Sequence, residues 1–209
     1  MPLTMKRTVL LASASTSRFR LLTDGGINPL IQVSAVDEEK IEAELAHVQP
    51  RELVVALASA KGQAVANNIT VTDDRNLLII AADSMLEFEG KPYGKPETAD
   101  VAVARWKAMR GKSGYLNSGH WVKDLVTGEV RTGVAGARVD FDDVSDVEIE
   151  RYVASGEPLH VAGGFTHEGR SAAFIKAMDG DTPAVAGMSM VLLRQLTRDM
   201  GIEWTDLWD

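Results

Sequence analysis

Four short stretches of the 209-residue sequence carry side chains of the types that grip phosphate. The first is Ser13-Ala14-Ser15-Thr16-Ser17-Arg18, set between a short apolar run and a helical pattern. A helix start offers unpaired N–H groups and the positive end of the helix dipole, so it suits an anion. Serine hydroxyls and an arginine at that end add donors for phosphate oxygens. The same serines also suit plain helix capping, with Arg18 as a surface cation. The second stretch holds Lys61. On a helix over Arg51–Asn67, Lys61 falls about 80° from Leu53, inside the apolar arc of Leu57, Ala64 and Val54. A lysine there must pair its charge, reach water along its stem, or hold an anion in a cleft. The third is Asp83, directly after the apolar run Leu77–Ala82. Ligands of open α/β sheets sit at the carboxyl ends of strands, where a carboxylate can bind a hard divalent metal or take a proton from water. Asp83 equally suits capping a turn with Ser84. The fourth is Gly94-Lys95-Pro96, a lysine in a tight turn before a helix. It is not a P-loop, because the glycine spacing is one residue short and no Ser/Thr follows the lysine. Taken alone, Lys95 reads as a surface turn residue. Glu38 is a candidate second metal carboxylate. Its neighbours Asp37 and Glu39, and the run Asp140, Asp142, Asp143 and Asp146, read as solvated acidic surface. Together these stretches make the inventory of a polyphosphate site with a bridging divalent metal.

The elements that must position these residues alternate in type. Thr8–Ala12 reads as a short buried strand, followed by a helix that Gly25–Gly26 stops. Leu30–Val33 is a second strand, and Val36–His47 is acidic and weakly amphipathic. Pro50 opens the best helix of the chain. Leu77–Ala82 reads as a strand buried on both faces. Met85–Phe88 and Lys91–Tyr93 suggest a hairpin around Glu89–Gly90. Pro96 stands where the first residue of a helix over Glu97–Met109 would be. Tyr115–Leu125 and Val130–Phe141 suggest a hairpin around Thr127–Gly128. Ser145 and Glu148 form a capping-box pattern ahead of a helix to Ala154. Ala172–Met178 reads as a strand and Met188–Met200 as a helix ended by Gly201. This alternation predicts an α/β protein, and the hairpins predict a mixed central sheet flanked by helices.

Composition narrows the partners. The net charge of −8 argues against a polynucleotide binder, whose affinity rests on basic residues. It leaves room for a small phosphate ligand held by a few local cations. There is no cysteine, which excludes a disulfide scaffold, a Cys-type zinc site and a cysteine nucleophile. The longest apolar runs are about six to eight residues, against roughly 20 for a membrane span. No secretion signal is visible at the start, so a cytoplasmic location is expected. The four histidines show no metal or triad spacing and read as structural or surface residues.

In order and spacing the motifs resemble the Maf family. The matching residues are Leu11-Ala12-Ser13-Ala14-Ser15 with Arg18 and Leu21-Leu22, then Val36-Asp37-Glu38, Ala58-Ser59-Ala60-Lys61, Ala82-Asp83-Ser84 and Gly94-Lys95-Pro96. Tyr152 to Gly156, Ala162-Gly163-Gly164-Phe165 and Gly180-Asp181 also fit. The likeness runs over residues 8–200 as one catalytic domain, with 1–7 and 201–209 as terminal extensions. The Ala-Gly-Gly-Phe-Thr version and the Leu-Trp tail are similar to actinobacterial members. What the resemblance implies is a nucleoside triphosphate pyrophosphatase with two lobes around a cleft, using Mg²⁺ or Mn²⁺ and assembling as a homodimer. Asp83 would be the proton acceptor. Ser13, Ser15, Arg18, Lys61 and Lys95 would line the phosphate site, and Glu38 with Asp83 would hold the metal. Ser17 replaces the first arginine of the family pattern, and Ser84 and Glu168 stand at positions tied to base preference. That leaves the base open, with a broad or modified nucleotide preferred. A non-catalytic nucleotide-binding regulator of cell division is the alternative.

Overall fold

In the computed structural model, which describes residues 6–72 and 74–209, strands and helices follow the alternation read from the sequence. They are β1 (Thr8–Leu11), α1 (Thr16–Asp24), β2 (Leu30–Ile31), α2 (Glu38–Glu44), α3 (Pro50–Asn67), β3 (Leu77–Phe88), β4 (Lys91–Tyr93), α4 (Ala99–Met109), β5 (Ser113–Asp124), β6 (Val130–Phe141), α5 (Asp146–Ala154), β7 (Ile175–Gly180), α6 (Thr182–Val185) and α7 (Met190–Arg198). The seven strands form one mixed sheet in the order β2-β1-β3-β5-β6-β7, with β4 also on β3. β1 is parallel to β2 and β3, and every other pairing is antiparallel. No helix among the described residues is long and apolar enough to cross a membrane.

Local chemistry accounts for the helix limits. Ser15 caps α1, its side chain accepting from the Arg18 N–H. Asp37, read from sequence as acidic surface, caps α2 by accepting from the Lys40 N–H at 3.0 Å. Gln49 and Glu52 box the start of α3, with Pro50 inside its first turn. Ser145 and Glu148 form the expected capping box on α5. Pro96 does not open α4; Thr98 caps it instead, accepting from the Val101 N–H. β7 starts at Ile175, because Arg170–Phe174 is taken up by a 3-10 turn.

β3 departs most from expectation. It does not end at Ala82 but runs unbroken to Phe88, so Asp83 and Ser84 lie inside a strand. The strand continues through these polar residues because β5 pairs with it from Leu78 to Glu87. Asp83 and Ser84 instead divide the packing. On one face Leu77, Ile79 and Ala81 pack with Ala58, Val65 and Trp121, while Met85 packs with Leu53, Val54 and Leu57 of α3. On the other face Leu78, Ile80 and Ala82 join Leu22, Leu193 and Leu196. Beyond Ser84, Leu86 and Phe88 join Trp106, Ile149 and Tyr152 of α4 and α5. That last core centres on Trp106, which is fully buried and meets Phe141, Tyr152 and Phe174 edge-on at 5.4–5.7 Å. Each such contact contributes about 0.5–1.5 kcal/mol beyond burial.

The edge of β3 shows the same division. β1 pairs as far as Ile80, with the Ala12 N–H closing the last bond, and β4 begins pairing only at Leu86. From Ala81 to Met85 this edge has no strand partner among the described residues. The turn after β1 stands at one end of the gap and the turn after β4 at the other. The final residues close the α1 side. Ile202 and Leu207 belong to the core around Leu22, and Trp204 packs against it. The Asp209 N–H donates to the Gly26 carbonyl, while the Asp209 carboxylate accepts from the Asn28 N–H at 2.8 Å.

Candidate active site

Asp83 and Ser84 point to opposite faces of β3, and each face brings a cation to the gap. On the α3 side, Lys61 is 8% exposed and its Nζ donates to Asp83 Oδ1 at 2.5 Å. The same Nζ lies 2.7 Å from Glu38 Oε2. Lys61 therefore reads as a paired buried charge, with α2 and β3 supplying one carboxylate each. Glu42, one turn beyond Glu38 on α2, shares this field. Burial raises its pKa, with Asp83 and Glu38 adding to the effect and Lys61 opposing it. The sequence reading missed Glu42, although its four-residue spacing from Glu38 was a usable signal.

On the other face, Arg18 reaches over from α1. Its Nε donates to the Gly187 carbonyl at 2.9 Å, its Nη1 to Ser13 Oγ at 3.1 Å and its Nη2 to Ser84 Oγ at 3.1 Å. Among the described residues no carboxylate bonds it directly. Burial lowers its pKa, and the charges of Asp83 and Glu38 oppose this. A half-buried guanidinium without a bonded counter-ion suits an anion. Gly187 has a φ of +118°, and a Cβ there would sit 3.3 Å from Arg18 Nε, so glycine suits both the turn and the close approach. Ser13 Oγ also accepts from the Ser15 N–H at 3.2 Å.

Lys95 sits at the far end of the gap, exposed and without a hydrogen bond or ion pair among the described residues. Its backbone is well held. The Gly94 carbonyl accepts from the Gly163 N–H at 3.1 Å and from Arg105 Nη1 at 2.7 Å. Trp106 Nε1 donates to the Gly164 carbonyl at 2.8 Å, and a Cβ on Gly164 would press on Pro96 at 3.0 Å. The Gly163-Gly164 pair thus seats the lysine turn. Two expected residues are not brought in. Ser17 is half-buried in the first turn of α1 with no side-chain hydrogen bond among the described residues. Glu168 is exposed on a loop beside His167, at 4.0 Å, and no contact joins it to Arg18, Lys61 or Asp83.

Behind Arg18 lies a buried network. Asp181 caps α6 and accepts from Ser189 Oγ. The Ser189 N–H donates to His120 Nε2 at 2.8 Å, which puts the ring proton on Nδ1, an atom with no hydrogen-bond partner among the described residues. His120 is a structural histidine, as expected. Burial lowers its pKa to about 4, Arg18 adding to the effect. The Ser118 backbone, which closes no hydrogen bond to Nδ1, and Asp181 oppose it. A histidine kept neutral in the fold but protonated in the unfolded chain gives stability that is complete above about pH 6.5. That stability is lost as the pH falls towards 4. The shift corresponds to about 3 kcal/mol. Urea unfolding at pH 7 and pH 4 is expected to show the wild type losing about 3 kcal/mol more than a His120→Gln variant. Equal losses would refute this.

The gap therefore places two cations, a third on a fixed turn, and a carboxylate pair along one open strand edge. The whole sequence bears on what this arrangement is. It matches the Maf-like protein family over residues 8–200.

The chain belongs to the Maf family.

It is 47% identical over 203 residues to a Streptomyces coelicolor protein named nucleoside triphosphate pyrophosphatase, covering 97% of this chain and 95% of that one. A Streptomyces avermitilis protein of the same name is 43% identical, with the same coverage. A solved nucleoside-triphosphatase / dITP/XTP pyrophosphatase from Mycobacterium abscessus is 13% identical, covering 79% of this chain and 93% of that one. Its TM-score is 0.36, too remote to bear on the site. In this Maf chain Arg18, Glu38, Lys61, Asp83 and Ser84, far apart in sequence, meet beside the gap in β3.

Proposed function

We propose that this Maf protein is a nucleoside triphosphate pyrophosphatase that hydrolyses the bond between the α- and β-phosphates, giving a nucleoside monophosphate and pyrophosphate. The observation that carries this reading is the convergence of Arg18, Lys61 and Asp83 on one unpaired stretch of strand edge, in a chain whose relatives bear that name. Arg18 and Lys95 grip the triphosphate. Lys61 carries charge to the same place and holds Asp83 through Oδ1. Asp83 Oδ2 has no hydrogen bond among the described residues and is the atom that takes the proton of the attacking water. The water oxygen bonds to the α-phosphorus, the bond to the bridging oxygen breaks, and that oxygen leaves with the electron pair on pyrophosphate. The step needs positioning and charge stabilisation, not a covalent intermediate.

The donor set suits Mg²⁺ or Mn²⁺. Glu38 and Asp83 are hard oxygen donors held within reach of one cation, Lys61. Among the described residues no three His, Asp or Glu side chains form a dedicated metal cage. Mg²⁺ is commonly held by one or two carboxylates plus substrate phosphates and waters, which fits a pair better than a cage. When bound, such an ion offsets phosphate charge and polarises the phosphorus. A binding-only regulator of cell division gains no support, since the relatives carry the name of a hydrolase. We further place the enzyme in the cytoplasm as a homodimer.

Product analysis tests the assignment. Canonical and modified triphosphates are incubated with enzyme and Mg²⁺ or Mn²⁺, and pyrophosphate and orthophosphate are both measured. Pyrophosphate with the monophosphate is expected; orthophosphate alone, or nucleotide bound without turnover, refutes it. Lys95→Ala is expected to raise KM about tenfold, the loss of one charge-assisted hydrogen bond. Its melting temperature should match the wild type, since Lys95 supports no packing. An unchanged KM would remove Lys95 from the site.

A further inference from the structure

Ser118 stands directly across from Ser84 in the β3–β5 register and is fully buried. Its Oγ donates to the Ala184 carbonyl at 2.7 Å and lies 2.7 Å from Ser84 Oγ. The direction of these bonds follows from proton counting. A carbonyl cannot donate, so the single Ser118 proton goes to Ala184. The Ser84 proton then goes to Ser118, and Ser84 Oγ accepts from Arg18 Nη2 at 3.1 Å. Among the described residues the only other acceptor in reach of Ser84 is the Gly187 carbonyl at 3.4 Å, which already takes the Arg18 Nε–H at 2.9 Å. Ser84 has therefore spent its one proton inside the protein.

We infer that Ser118 is a positioning residue that acts through Ser84 to aim Arg18 at the phosphates, and that Ser84 serves the phosphate side of the site and does not read the base. This deepens the pyrophosphatase reading and rests on it. Of the five N–H bonds of Arg18, three are fixed by Gly187, Ser13 and Ser84. That leaves one N–H on each terminal nitrogen for an anion, in directions set by the three acceptors. Without the Ser118 hydroxyl, the Ser84 proton turns to the Gly187 carbonyl and competes there with Arg18. The guanidinium loses part of its anchorage, and phosphate affinity falls whatever the base.

The test uses Ser84→Ala, Ser118→Ala and the double variant. Inorganic tripolyphosphate binding is measured by calorimetry, and KM and kcat are measured for four nucleoside triphosphates. Each single variant should weaken tripolyphosphate binding about tenfold, one hydrogen-bond equivalent, and raise all four KM values by a common factor. Ratios of kcat/KM between bases should stay within about twofold of wild type. The double variant should be little worse than the worse single, because both break one chain. Ser84 is half-buried, so its variant keeps the test open should Ser118→Ala fold poorly. Unchanged tripolyphosphate affinity, additive effects, or base ratios shifted by more than about fivefold would overturn the relay. A wild type that binds tripolyphosphate but releases no pyrophosphate would instead refute the pyrophosphatase reading, leaving the relay to be judged on affinity alone.

Discussion

Asp83→Asn is expected to cut pyrophosphate release by about a thousandfold or more, the range assigned to a lost general base. The melting temperature should move by only a few degrees. Two effects compete in that second statement. Breaking a buried ion pair usually costs about 3–5 kcal/mol, because one charge is left stranded. Here Lys61 keeps Glu38 at 2.7 Å, and the asparagine amide oxygen can still accept from Nζ. The charge is not stranded, so most of that penalty is avoided. The substitution also keeps the volume of the side chain in a strand paired throughout by β5. A continuous pyrophosphate assay and a thermal melt on the same preparation check both halves. Activity within tenfold of wild type would remove Asp83 as the proton acceptor.

The second large effect lies one strand away. Gly119→Ala is expected to destabilise the protein by about 3 kcal/mol or more, at the upper end of overpacking costs. A Cβ on Gly119 would lie 2.3 Å from the carbonyl carbon and oxygen of Val54, which are α3 backbone and cannot rotate aside. The neighbouring contact is equally tight, since a Cβ on Gly62 would meet the Trp121 ring at 2.1 Å. Helix and sheet approach each other through two glycines, and the only relief is for α3 to lift. Lifting α3 draws Lys61 away from Asp83, so activity should fall along with stability. Gly128→Ala serves as the contrast. It meets nothing within 4 Å but has a φ of +78°, so it should cost only about 1–2 kcal/mol of backbone strain and leave activity intact. Urea midpoints for the two variants, with activity measured at low urea, separate the mechanisms. Similar behaviour in both would refute the close contact of α3 with β5.

Much of this was legible in the chain. Pro50 and the apolar spacing after it specify α3, and Lys61 stands out as a charge on the wrong side of that helix. Its burial against Asp83 is the physical reason it can be there. The hairpin of β5 and β6 is read from Thr127–Gly128. The sequence puts Asp83 at a strand end, because polar residues after an apolar run look like a stop. Propensity gives no sign that β5 supplies partners past that point, since the pairing is long-range. Ser118 and Gly187 were missed for the same reason. A buried serine inside a strand resembles any other strand serine, and Gly187 is 169 residues from the arginine it receives. Glu168 is a different case: the family pattern selects it, and the fold sets it on an exposed loop apart from the cations.

The C-terminal residues bear on how much of the chain the fold requires. The shared family pattern stops at residue 200, yet Ile202 and Leu207 are buried in the core under α1, and Asp209 ties off the turn at Gly26 and Asn28. A fragment trimmed at residue 200 would keep Arg18, Lys61, Asp83 and Lys95 and lose the floor beneath the helix that carries Arg18.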